Sequence, residues 1–178
     1  MLINNQVRRP RRNMARFVVV SILALAPLAC GSKEAEDKPP EVEVLPAATN
    51  GSPVAVEFTE FTGTGERGMK VLAYNAGDKT AAAYFLLFRY YDASDKLLKV
   101  KPGTPFESDF GFTSMSGNKF KCEPKQNVTI EIDPMLADVP AEAVRAEILA
   151  SQVRALASDG NTIEDWWSQD QWGEWPKP

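Results

Sequence analysis

The stretch Tyr84 to Tyr91, Tyr-Phe-Leu-Leu-Phe-Arg-Tyr-Tyr, limits the fold more than any other part of the chain. Aromatic and aliphatic side chains fit a pleated surface, and here they occupy both of its faces except at Arg89. A strand apolar on both faces belongs mid-sheet or beneath a covering loop. Asp92-Ala-Ser-Asp95 supplies turn chemistry directly after it, and Lys96 to Val100 reads as the returning arm of a hairpin.

The segments around this hairpin carry the same period of two. Val54-Ala-Val-Glu-Phe58 alternates and runs on to Phe61, as a half-buried strand does, and Gly63, Gly65 and Gly68 break it. Met69 to Asn75 is a second strand, closed by the turn residues Ala76-Gly77-Asp78. Asn127 to Ile132 alternates cleanly and stops at Asp133-Pro134. In the run from Phe106 to Phe120, Phe106, Phe110 and Phe112 are expected to face inward, with a turn at Ser116-Gly117-Asn118.

Val139 to Ser158 is ambiguous. It is rich in helix formers, and Val144, Ile148, Leu149, Val153 and Leu156 recur at helical spacing. The same residues also make a long strand ahead of Asp159-Gly160, a hairpin-turn pair.

Phe88-Arg-Tyr-Tyr-Asp92 resembles the Phe-x-Leu-Tyr-Asp signature that names a family of immunoglobulin-like domains in exported bacterial proteins. Tyr90 stands where Leu is usual. The surroundings fit the resemblance: an Asn75-Ala-Gly77 turn before the motif, and Cys122-Glu-Pro-Lys125 leading into an alternating strand after it, with Lys125 where Gly usually follows the Pro. The resemblance covers residues 69–132 and implies that the segment from Val144 to Leu156 is a strand. The expected fold is all-β: a single antiparallel immunoglobulin-like sandwich over residues 54–167.

Upstream, Arg8, Arg9, Arg11, Arg12 and Arg16 precede Phe17 to Ala29, which reads as the basic and apolar regions of a secretory signal, residues 1–29. Thirteen apolar-dominated residues fall short of the roughly 20 that a membrane-crossing helix needs. Leu28-Ala29-Cys30 resembles the lipobox of bacterial lipoproteins, with Pro27 departing from it. The resemblance implies that Cys30 becomes a lipidated first residue carrying palmitate-type chains, which places the protein in the bacterial cell envelope. No Asp follows the Cys to signal retention, so the outer membrane is the expected site. Residues 30–53, rich in Pro and alternating charge, read as a flexible tether.

Removing residues 1–29 leaves 15 basic residues against 24 acidic ones, so the net charge moves from -4 to -9. That balance argues against nucleic acid as a partner. With no His in the chain, Ser-His-Asp and Cys-His arrangements are impossible and the commonest metal ligand is missing. Gly63-x-Gly65-x-x-Gly68 matches a dinucleotide-binding spacing, but no helix or β-α-β unit follows it. Asp92, Asp95 and Asp109 could hold a cation from turns; Asp92 and Asp95 are expected instead to bond their own backbone. Cys122 is expected to be a buried small hydrophobe. No catalytic residue, cofactor or metal site is expected.

The stretch 168–178 is a Trp-rich tail. Trp166 and Trp167 are expected to close the core edge, whereas Trp172 and Trp175, spaced by Gly and Pro, are candidates for contact with a ligand. The leading functional expectation is a non-catalytic lipid-anchored accessory protein with an unknown protein partner. The alternative is a carbohydrate-binding module that stacks sugar rings on Trp172 and Trp175.

Overall fold

The computed structural model describes residue 48 and residues 50–177. The readings of residues 1–29 as a signal and of Cys30 as a lipidation site therefore lie outside the described residues.

Among the described residues eight strands follow in chain order: β1 Val54–Thr62, β2 Gly68–Asn75, β3 Ala81–Tyr91, β4 Leu97–Leu98, β5 Gly111–Ser116, β6 Asn127–Ile132, β7 Arg145–Leu156 and β8 Ile163–Ser168. The helical pieces are a 3-10 turn, Asn118–Phe120, and one short helix, α1, Pro134–Ala137. One sheet has the order β1-β2-β6. In the other, β7 runs along one flank of β3 with β8 beyond it, while β4 and β5 share the opposite flank end to end. All pairings are antiparallel. The expected all-β two-sheet sandwich is what the chain forms.

The core lies between the sheets. From β3 it takes Tyr84, Leu86, Phe88 and Tyr90, from β2 Met69, Val71 and Ala73, from β6 Ile130 and Ile132. Two buried phenols fasten β3 to its surroundings, Tyr84 Oη donating to Phe120 O (2.9 Å) and Tyr90 Oη to Ala137 O (2.6 Å). Burial raises the pKa of both, so they stay neutral donors. Cys122 is buried in the same core, as expected, and burial pushes its thiol pKa up.

The Phe88–Asp92 motif therefore has a structural account. Phe88 and Tyr90 point into the core, and Arg89 and Tyr91 point out. Asp92 Oδ1 accepts from Ser94 N (2.8 Å), Ser94 Oγ (2.7 Å) and Lys96 N (3.0 Å), which holds the turn after β3. Asp95 departs from expectation. It binds Arg145, at the start of β7, at 2.7 Å rather than its own backbone, and its own backbone is left-handed (φ 63). Lys125 is also left-handed (φ 62), a conformation that Gly adopts at less cost.

Asn75 is fully buried and joins two turns, donating from Nδ2 to Lys79 O and Cys122 O (both 2.8 Å) and accepting from Gly77 N (2.9 Å). Gly63 sits in the β1–β2 hairpin loop with φ 81, so the Gly-x-Gly-x-x-Gly run is turn chemistry.

The segment after Val144 is a strand. Helix propensity is overridden because β7 lies between β3 and β8 and is buried on both faces from Ile148 to Ser151, while Arg145 and Glu147 on its outer face stay exposed. A bulge at Ser151 shifts its alternation, so Ala146, Ile148 and Ala150 face the core before it and Val153 and Ala155 after it. The Lys96–Val100 arm shrinks to the two residues of β4, with Val100 bridging Ser108 instead of β3.

Candidate functional site

The expectation that Phe106, Phe110 and Phe112 face inward is corrected by the phase of β5. Its core-facing positions are Gly111, Thr113 and Met115, while Phe112, Ser114 and Ser116 face out. Gly111 sets this phase: a Cβ there would run into the Phe88 ring, so a small residue must face the core where β5 crosses that ring. Phe106 and Phe112 are consequently 76% and 63% exposed, and Phe110 is half-buried.

These rings border a groove of about 460 Å³ between the loop ahead of β5 and α1. Pro134 starts α1 with its fixed φ, and the single turn it allows presents Met135 and Leu136, 85% and 45% exposed, to the same groove. Phe106, Phe112, Met135 and Leu136 thus gather at one end of the sandwich. Lys101 and Asp138 on its lining form an ion pair (3.0 Å), and Lys99 and Asp109, next to lining residues in the chain, form another (2.7 Å).

The outer face of the β3–β7 sheet leads away from this groove. Leu87 lies directly opposite Leu149 on β7 and Phe112 on β5, and both leucines are buried although they point away from the main core. The tail returns across this face, anchored where Gln169 N donates to Ser151 O (3.0 Å). Trp172 meets Phe85 edge-on at 4.8 Å, and Phe85 stacks on Phe112 at 5.5 Å. Trp175 lies under the Arg89 guanidinium at 4.3 Å, a cation–π geometry. Both candidate ligand residues are therefore in contact with the sheet, Trp172 with 47% of its surface still open. Trp166 and Trp167 pack against the core edge, as expected, with Trp166 lying over Gly77.

A larger cleft, about 700 Å³, opens beside Arg67. Its guanidinium is committed to structure. It donates to Ala143 O (2.9 Å), Ala141 O (3.0 Å) and Pro140 O, and stacks over Phe61 at 4.8 Å. Asp92, Asp95 and Asp109 do not converge, each being engaged separately, and no cluster of three or more metal-ligating residues occurs among the described residues. No helix among the described residues is long and apolar enough to cross a membrane.

Sequence reasoning missed Phe106, Phe112, Met135 and Leu136 as one surface. The signal available was Gly111 between two phenylalanines: the residue without a side chain marks the crowded side of the strand.

No family model matches the chain, and no curated protein matches it. Among solved structures, a DUF1425 family member from Shewanella sp. pv-4 is similar at 19% identity with a TM-score of 0.32, covering 59% of this chain and 80% of that one. A likeness at that level decides neither family nor function.

Proposed function

We propose that the chain is a non-catalytic, lipid-anchored protein of the bacterial cell envelope that works by holding a partner protein in the groove between β5 and α1. The observation that carries the reading is the exposure of Phe106, Phe112, Met135 and Leu136 around one groove. Large apolar side chains gathered in one exposed patch are characteristic of interaction surfaces. The absence of His from the sequence and the commitment of Asp92, Asp95 and Asp109 to turns and ion pairs support a non-catalytic role.

The anchor is the lipid on Cys30, and the outer membrane is its site; the lipobox-like Leu28-Ala29-Cys30 and the Pro-rich stretch after it support this. Membership of the Phe-x-Leu-Tyr-Asp family rests on Phe88 to Asp92 and its flanking turns. A Cys30→Ser chain is expected to leave the detergent phase in a phase split; a variant that stays there contradicts the anchor.

The second reading, a carbohydrate-binding module, draws on the open part of Trp172. Capture from detergent-extracted envelopes separates the two. The protein-holding reading expects Phe106→Ser with Met135→Ser to lose an identified protein partner while Trp172→Ala with Trp175→Ala keeps it. Loss of binding to insoluble envelope glycan in the Trp variant alone would favour the carbohydrate reading.

A further inference from the structure

Edge strands offer unpaired backbone groups and are commonly protected by charge. Here β1 carries Glu57 and Glu60, β6 carries Glu131, and β8 carries Glu164 and Asp165. The β5 edge, Gly111-Phe-Thr-Ser-Met-Ser116, carries none, and its pairing with β3 leaves the other flank open. Ala83 stands opposite Ser116, so Gly117 and Ala82 are the next pair, and Gly117 N donates to Ala82 O (3.4 Å). Antiparallel alternation then gives the hydrogen bonds with β3 to Thr113 and Met115, and turns the backbone N–H and C=O groups of Phe112 and Ser114 outward. Both of these residues are exposed. At one end the flank meets the apolar groove, which Gly111 and Phe112 line together with Phe106, Met135 and Leu136. Past its other end, exposed Lys119 lies over the Phe120 ring and forms no ion pair among the described residues.

We propose that the partner presents an extended segment, which adds to β5 as a further antiparallel strand and sets a large apolar side chain in the groove. The inference rests on the reading of the groove as a protein-holding surface and names the chemistry of what it holds. A strand laid on a sheet edge gains affinity from main-chain hydrogen bonds and specificity from the pocket that one of its side chains enters. The outward groups of Phe112 and Ser114 match such a strand; a helix has bonded its own main-chain groups and offers them nothing. The groove at the Phe112 end asks for a bulky apolar residue. In antiparallel order that residue is C-terminal to the one passing Lys119, where an acidic side chain complements the free cation. A second copy of this chain lacks that pattern. Its β5 exposes Ser114 and Ser116 where the groove needs an apolar side chain, and copies that each carry -9 after removal of residues 1–29 repel.

The probe is an end-blocked peptide, Asp-Thr-Val-Thr-Val-Thr-Leu, added to the detergent-solubilised full chain. Without it, the Phe112 and Ser114 amides are expected to exchange with deuterium faster than those of Thr113 and Met115; with it at saturation, they slow by about tenfold or more. Ser114→Pro removes an outward N–H and no bond to β3, so it is expected to fold as the parent does and to lose the peptide, while Ser114→Ala keeps it. The peptide N-methylated on every amide retains its side chains and is expected not to bind. Lys119→Glu is expected to weaken binding about threefold, as the loss of one exposed ion pair does. A folded Ser114→Pro chain that binds the peptide like the parent, or Phe112 and Ser114 amides left unprotected at millimolar peptide, would overturn the proposal. Protection that rises with protein concentration and needs no peptide would also overturn it, because a second copy then takes the edge. Should strand addition fail while Phe106→Ser with Met135→Ser still loses an identified envelope protein, the groove reading stands without it.

Discussion

The two faces of β3 are both apolar and have different work. On the inner face Tyr84, Leu86, Phe88 and Tyr90 are closed off by the second sheet, and each phenol has a fixed carbonyl partner. On the outer face Leu87 is buried opposite Leu149, and the returning tail sets Trp172 against Phe85 and Trp175 against Arg89, but the closure is partial: Phe112 and Trp172 stay open to solvent, and the neighbouring groove exposes Phe106 and Met135. A face that exists for stability is closed completely. A face left open after the chain has supplied its own cover has surface remaining for another molecule.

The strongest attack on this contrast is at the inner face. Phe88→Ala is expected to destabilise by about 3–5 kcal/mol, the usual range for a fully buried aromatic. Chemical denaturation measures it, and a loss below about 1 kcal/mol would show that the inner face is not the tighter of the two. Gly111→Ala comes next. Its new Cβ meets the Phe88 ring, so a cost of about 1–3 kcal/mol is expected from overpacking, although the site is nominally a surface edge. A neutral result would break the account of why β5 turns its phenylalanines outward.

The smallest effect lies at the exposed β7–β8 turn. Hydrogen bonds from Thr162, by side chain and backbone, and from Asn161 N hold Asp159 at a pKa of about 2, against an ordinary value of 3.8. A depressed carboxylate contributes stability that is fully present above its unfolded pKa and lost as pH falls through the folded one. The turn should therefore loosen between about pH 4 and pH 2. Carboxyl NMR should place the Asp159 midpoint near 2, and Asp159→Asn should remove that segment of the acid dependence. A midpoint near 3.8 would contradict the turn geometry.

Much of the architecture was legible in residue patterns. Residues 84–91 announced a strand buried on both faces, and the alternation in 54–58 and 127–132 placed two more strands correctly. The segment after Val144 was harder, because Ala, Glu, Arg and Leu favour a helix in isolation and only the neighbours β3 and β8 make it a strand. Its bulge at Ser151 also breaks the period that would have revealed it. The groove was illegible for a related reason. Phenylalanine is expected inside, and only the contact between Gly111 and Phe88, distant in sequence, reverses β5. Met135 and Leu136 sit in a four-residue helix too short to show any period. Trp172 and Trp175 were singled out by their spacing, but their contacts with Phe85 and Arg89 depend on how the tail returns over the sheet.

The central claim is that the groove side chains serve a partner and contribute little to the fold. The melting midpoint of the Phe106→Ser, Met135→Ser double variant tests it most directly. The account predicts a midpoint within a few degrees of the parent chain, since surface substitutions usually change stability by no more than about 0.5 kcal/mol each. A fall as large as that of Phe88→Ala would contradict it.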